Sequence, residues 1–259
     1  MPLGEGDFVL VEYTLKVKET GEVIDTTSED EAKKTGTYDA RERYGPRLVI
    51  VGEHRLIEGL EEAIASLDEG KETEIEIPPE KAFGKRSPEN IKIIPRSQFI
   101  RAGIAPQPGK VVEINGKLAI IRSVSGGRVI VDFNHPLAGK VIVAHVRVVK
   151  VLKSPEEKLL HLFLRRLPPF IKEDDVKVEY DVEKRHARYV LNEKALLVQD
   201  MQTAKRIVVA EIQKYMPNEV RSLEFVEKVG LAKSSEEAKQ ESNTEVKESE
   251  KTEAVKEGS

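Results

Sequence analysis

The chain has 259 residues and not one of them is a cysteine. That absence excludes disulfides, thiolate metal sites and a cysteine nucleophile. There is no tryptophan either, and aromatic residues make up only 5%. No apolar run approaches the ~18 residues of a membrane span, and MPLGEGDF at the start lacks a basic-then-apolar signal, so a cytoplasmic protein without membrane contact is expected. The five histidines, His54, His135, His145, His161 and His186, include no i,i+4 pair, so neither a metal site nor any other cofactor is expected. A net charge of −4 argues against bulk binding to nucleic acid.

What the chain does hold is charge and β-branched residues. Charged residues reach 34%, dominated by Lys and Glu, a bias common in proteins of heat-loving organisms. The length suits two or three compact domains. The chain is organised around Leu48–Lys71. Leu48 to Val51 reads as a buried strand closed by Gly52. After Glu53-His54-Arg55 and the apolar pair Leu56-Ile57, residues Leu60, Ala63, Ile64 and Leu67 recur at helical steps, giving a short amphipathic helix ended by Gly70.

Around this stretch, Phe8–Val17 and Val23–Thr27 read as a strand pair, Ser28–Ala40 as a polar loop, and Glu72–Ile77 as a strand stopped by Pro78-Pro79. Lys140–Leu152 alternates Val with polar residues and reads as a returning strand. Between them, Ile91–Pro95, a helical turn at Ser97–Arg101, and three strands joined by Asn115-Gly116 and Gly126-Gly127 make a small β-rich module. Ser154-Pro155 opens a helix ended by Pro168-Pro169. A hairpin over Val176–Leu191, a helix over Val198–Met216 and a strand over Val220–Val229 complete an αββαβ unit. From Ala232 onward only polar and small residues remain, as in a disordered tail.

Val11-Glu12-Tyr13-Thr14, Gly21 through Asp25, Val51-Gly52 through Leu60-Glu61, and Pro79 to Gly84 follow in order and spacing the motifs of FK506-binding-protein-type peptidyl-prolyl isomerases. Val131-Asp132-Phe133-Asn134-His135-Pro136-Leu137-Ala138-Gly139-Lys140 resembles the signature that follows the inserted flap domain in SlyD-like members. The resemblance implies an α+β fold, with an antiparallel sheet wrapped on one short helix. It implies an isomerase domain of residues 1–84 plus 135–153 and an insert-in-flap chaperone domain of residues 85–134. An α+β domain of residues 154–231 and a charged tail of residues 232–259 follow.

Rotation about an Xaa–Pro bond needs no nucleophile, only relief of a resonance barrier of ~18–20 kcal/mol. An apolar, water-poor pocket favours the twisted, less dipolar state, which is differential binding of the transition state. Read alone, Leu56, Ile57 and Leu60 are most simply core packing, Asp25 a turn residue and Phe83 a satellite core residue. The resemblance assigns them otherwise. It implies Tyr13, Asp25, Ile57 and Phe83 as catalytic, with the Ile57 N–H holding a substrate carbonyl, and Ile24, Leu56, Leu60 and Ala144 as substrate-binding. Ile24, Leu60 and Ala144 stand where relatives carry aromatics, which implies a wider pocket, weaker catalysis and poor binding of bulky macrolide inhibitors.

The resemblance also implies unfolded or nascent polypeptides as partners, met by Ile93, Ile94, Phe99, Ile100 and Ile104 of the insert. The two helices of the last domain carry more apolar surface than three short strands can cover, so a homodimer through that domain is expected. Its basic residues, Arg165, Arg166, Lys184, Arg185, Arg188, Lys205 and Arg206, suggest a ribosome contact, with a solvated charged face as the simpler alternative.

Overall fold

The computed structural model describes residues 3–230; the tail expected over residues 232–259 lies outside the described residues. Strand β1 (Phe8–Val17) has two antiparallel partners along one side. Strand β2 (Val23–Thr26) runs beside its second half and β3 (Arg47–Ile50) beside its first. The segment Ser28–Ala40, read as a loop from its polarity, contains helix α1 (Glu29–Thr35). Ser28 caps it by accepting from the Glu31 N–H, and Gly36 ends it at φ 74°. Its one buried side chain is Ala32, so no apolar period announces it.

Helix α2 (Glu58–Ser66) buries Leu60, Ala63 and Ile64. It stops at Leu67 rather than at Gly70, because the Leu67 backbone is already extended at φ −92°, ψ 143°. Gly70 (φ 78°) serves the following turn, its N–H donating to the Val148 carbonyl at 2.7 Å. Gly59 lets α2 lie close on β4 (Glu72–Ile77): a Cβ there would stand 2.5 Å from Ile77 Cγ2.

The insert comprises β5 (Ile91–Pro95), α3 (Arg96–Arg101), β6 (Val111–Ile114), β7 (Lys117–Ser125) and β8 (Arg128–Asp132). Its strands form an antiparallel sheet in the order β5-β8-β7-β6. Its core is Phe99, Val112, Ala119, Ile121, Val129 and Val131. Of the residues expected to meet clients, Ile93 and Ile100 are exposed. Phe99 is instead core, and Ile94 and Ile104 pack against it. Alternation gives the reason: Ile94 stands opposite the core residue Val129, whereas Ile93 stands opposite Ile130 on the outer face. The same outer face carries the exposed Val111 and Leu118, which the sequence reading passed over.

Strand β9 (Ile142–Leu152) then enters the first sheet between β1 and β4. Along β1, Val9, Val11, Tyr13, Leu15 and Val17 share a core with Leu60, Ile64, Ala144 and Val146 on the α2 side. Phe8 and Leu10 point the other way, with Leu48, Ile50 and Leu152.

That second face is covered by the C-terminal domain. Its elements are α4 (Pro155–Leu164), β10 (Val176–Asp181), β11 (His186–Leu191), α5 (Met201–Tyr215) and β12 (Ser222–Glu227), with β11 antiparallel to β10 and parallel to β12. Ser154 caps α4 by accepting from the Glu157 N–H at 3.2 Å. Helix α5 begins at Met201 rather than Val198, after a 3-10 turn over Glu193–Leu197. Leu159, Leu162, Phe163 and Leu164 form one continuous core with Phe8, Leu10, Leu48, Ile50 and Leu152. Part of the apolar surface that suggested a homodimer therefore lies against the chain's own first sheet, whereas Ile207 of α5 stays exposed. Among the described residues no helix is long and apolar enough to cross a membrane.

Candidate active site

Alternation on β1 turns Tyr13 toward α2, where it is 2% exposed. The neighbouring strand β2 brings Asp25 alongside, and the Tyr13 hydroxyl donates to Asp25 Oδ2 at 2.7 Å. Arg47, the first residue of β3, donates to the same hydroxyl, lies 3.5 Å from Asp25 Oδ2 and stacks over the Tyr13 ring at 5.4 Å. Burial pushes the Tyr13 pKa well above the ordinary value; Arg47 opposes the shift and Asp25 adds to it. The hydroxyl thus stays protonated as a donor. Arg47 was missed in the sequence because a polar residue before an apolar run reads as a flank. Its significance comes only from pairing β3 against β1, which sets Arg47 opposite Val11.

At the entrance of α2, Ile57 is the N-cap residue, at φ −64°, ψ 141°. Its carbonyl accepts from the N–H groups of Leu60 (2.9 Å) and Glu61 (3.1 Å). Its own N–H has no acceptor among the described residues. Glu61 steadies the approach, accepting from the Leu56 N–H at 3.1 Å and lying 3.2 Å from His54 Nδ1. Glu61 carries the loop from the helix side, a role its place on the polar face of α2 did not suggest.

Ile24, Leu56, Ile57 and Phe83 are partly buried and pack on the same cluster as Tyr13. Leu60 and Ala144, expected to touch substrate, are 0% exposed. They support the groove from beneath and do not line it. Nor does the small Ala144 open a wider pocket: Leu15 and Ile75 stand on either side of it across the sheet. Phe83 stacks on His135, with ring centroids 4.9 Å apart and planes within 2°. His135 is thereby set beside Phe83, a contact that its isolated position in the sequence did not reveal. Two clefts lie beside these residues, one reaching Tyr13 and the other Arg47 and Leu56. One, of about 560 Å³, includes Glu12, Thr14, His145 and Arg147 in its polar wall. The other, of about 690 Å³, runs between Arg47 and Leu56 on one side and Leu164 and Arg165 of the C-terminal domain on the other.

The chain is 40% identical over 153 residues to the "Short-type peptidyl-prolyl cis-trans isomerase" of Methanocaldococcus jannaschii, covering 59% of this chain and 96% of that protein. This chain belongs to the FKBP-type peptidyl-prolyl cis-trans isomerases. The family model of that description matches residues 2–100 of this FKBP-type enzyme. Models described as "FKBP26, IF domain" and "FKBP26_C-terminal" match residues 92–137 and 155–230. The "FKBP-type 16 kDa peptidyl-prolyl cis-trans isomerase" of Escherichia coli (strain K12) is 32% identical over 151 residues, covering 55% of this chain and 89% of that one. The "FKBP-type peptidyl-prolyl cis-trans isomerase SlyD" of Helicobacter pylori is 31% identical over 156 residues, covering 58% and 76%. The FKBP-type enzyme here is thus a SlyD-like rotamase with an insert and a third, C-terminal domain.

Proposed function

We propose that the FKBP-type enzyme isomerises Xaa–Pro bonds of unfolded or nascent polypeptides in the cytoplasm, with a rigid groove as catalyst and the insert as chaperone domain. The unpartnered Ile57 N–H at the mouth of the groove is the observation that carries this reading. It is placed to receive a substrate carbonyl, so that the prolyl ring settles against Leu56, Ile24 and Phe83. Leu60 and Ala144 back these walls without touching substrate. The Tyr13–Asp25–Arg47 cluster closes one side with fixed dipoles, which need no reorganisation as the amide twists. No proton or covalent bond has to move. The enclosed, apolar setting favours the twisted amide over the planar one, which water solvates well.

The outer face of the insert sheet, with Ile93, Val111 and Leu118 exposed, supports capture of unfolded clients there. The other partner readings have less support. The apolar faces of α4 are used within the chain. Of the basic residues that suggested a ribosome contact, Arg165 and Arg166 meet Glu211, Arg188 meets Glu224, Lys184 meets Asp181 and Lys205 meets Glu227.

The test is a prolyl-tetrapeptide isomerisation assay on the full chain. Ile57 already has the φ of proline, so Ile57→Pro deletes the N–H donor with little backbone cost. We expect wild type to accelerate isomerisation and Ile57→Pro to lose at least about tenfold, the scale of one misplaced transition-state donor. Absence of acceleration by wild type with any residue before proline would leave a holdase as the reading.

A further inference from the structure

We propose that Glu53 and Arg165 are positioning residues for isomerisation, through which the C-terminal domain holds the loop that presents the Ile57 N–H. The proposal rests on the reading that this N–H binds substrate. The loop Gly52–Ile57 joins β3 to α2, and Glu53 sits between two residues in the left-handed region, Gly52 (φ 82°) and His54 (φ 57°). A histidine in that region is strained and persists only where its surroundings over-determine it. From the isomerase domain, Glu61 holds Leu56 and His54. Among the described residues of that side, only Arg55 approaches the Glu53 carboxylate, at 3.8 Å.

The missing anchor comes from the other domain. Arg165, at the C-terminal end of α4, donates from Nη1 to Glu53 Oε2 at 2.9 Å and from Nη2 to Glu53 Oε1 at 3.1 Å. Both side chains are enclosed, 10% and 7% exposed. A forked guanidinium–carboxylate pair fixes direction as well as distance, which a solvated point charge does not. Arg165 is itself set by Glu211 of α5 at 2.8 Å, and Glu211 also holds Arg166. Loop, α4 and α5 are thereby one network, and the C-terminal domain determines where Glu53 stands. Leu56 and Arg47, both of the groove, line the cleft whose far wall includes Arg165. Displacement of such a loop by about 1 Å is enough to cost up to about a hundredfold in an orientation-limited reaction.

The experiment compares full-length variants on a prolyl tetrapeptide, well below their unfolding temperatures. Wild type must first accelerate isomerisation; its failure to do so would refute the isomerase reading itself, not the positioning role. Arg165→Met and Glu53→Ala are expected to lose about tenfold in kcat/KM, more in kcat than in KM, with Arg165→Lys in between. The double variant should be no worse than either single one. Lys205→Met removes an ion pair of the same domain that lies outside this network, Lys205 Nζ to Glu227 Oε1 at 2.6 Å, so it should lower thermal stability and leave kcat/KM unchanged. The backbone amide resonances of Leu56 and Ile57 should shift in Arg165→Met and Glu53→Ala and stay in place in Lys205→Met. Should the truncations fail to fold, the isosteric Glu53→Gln carries the test through the same resonances and rates. Wild-type kcat/KM with unmoved resonances in the folded Glu53 or Arg165 variants would overturn the proposal, as would an equal loss of rate in Lys205→Met.

Discussion

The insert and the C-terminal domain join the isomerase sheet by opposite chemistry. The insert keeps a core of its own, around Phe99 and Val131, and leaves the outer face of its sheet uncovered. Its junction is polar. The enclosed Asp132 receives Arg86, Arg122 (3.0 Å), the Asn134 N–H (3.0 Å) and Asn134 Nδ2 (2.7 Å). Asn134 in turn grips the backbone of Ser87 from both sides, at 2.9 Å each. The C-terminal domain has no core apart from the one it shares with Phe8, Leu10, Leu48 and Ile50. A polar junction sets an orientation while leaving two domains energetically separable; a shared apolar core makes them one cooperative body. The insert, proposed to meet clients, is joined through polar contacts, and the C-terminal domain is fused through a shared core.

The largest effect that would break this contrast is expected from Phe8→Ala. The ring is buried between the domains under Lys158, and its loss should cost about 3–5 kcal/mol. In urea, amide probes in β1 and in α4 should lose protection in the same transition. Phe99→Ala should instead unfold the insert while β1 and α4 stay folded. Separate transitions for β1 and α4 would show that the shared core does not couple them.

This contrast was only half legible in the sequence. The continuous run Phe8-Val9-Leu10-Val11, beside the alternating Tyr13-Thr14-Leu15-Lys16-Val17, already says that one end of β1 is covered on both faces and the other on one. It does not say by what, because a period of two reports burial and not the partner. The same limit bears on the apolar excess of α4: it was visible, whereas part of its cover lay more than a hundred residues away at Phe8 and Leu48. Tyr13, Asp25 and Ile57 were singled out because they belong to the local motifs that carry the resemblance. Arg47, His135 and the Arg165–Glu53 pair arise from tertiary approach and leave no local trace. Phe99 and Ile94 were misjudged for another reason, since apolar type alone cannot tell the inner face of a four-stranded sheet from the outer without its register.

A smaller effect is expected at the polar junction. Burial alone would raise the Asp132 carboxyl, but hydrogen bonds from Asn134, Arg122 and Arg86 together lower its pKa to about 2. A pKa depressed below the ordinary value near 4 means that this stabilisation is complete above about pH 4 and lost as the pH falls through about 2. Asp132→Asn should cost about 1–3 kcal/mol in the insert and its linkers, and remove the part of their acid sensitivity that lies between those limits. Amide exchange of Val129–Phe133 against pH measures both. An unchanged acid profile in Asp132→Asn would mean that other groups hold the hinge.

The smallest effect on stability, and the sharpest on function, belongs to the open face of the insert. Ile93 and Leu118 are 62% and 70% exposed, so Ile93→Ser and Leu118→Ser remove little buried surface and should change stability by no more than about 0.5 kcal/mol. Phe83, His135 and Ile57 are untouched by these changes, so tetrapeptide isomerisation should be unaffected. Suppression of aggregation of a denatured protein, and acceleration of its proline-limited refolding, should both fall, because the client is no longer retained near the groove. Loss of tetrapeptide activity along with chaperone activity would mean that the insert shapes the groove, and its separation from the catalytic body would then fail. Retention of both activities would place client capture elsewhere; the exposed Leu196 and Leu197 of the C-terminal domain are then the next apolar pair to replace.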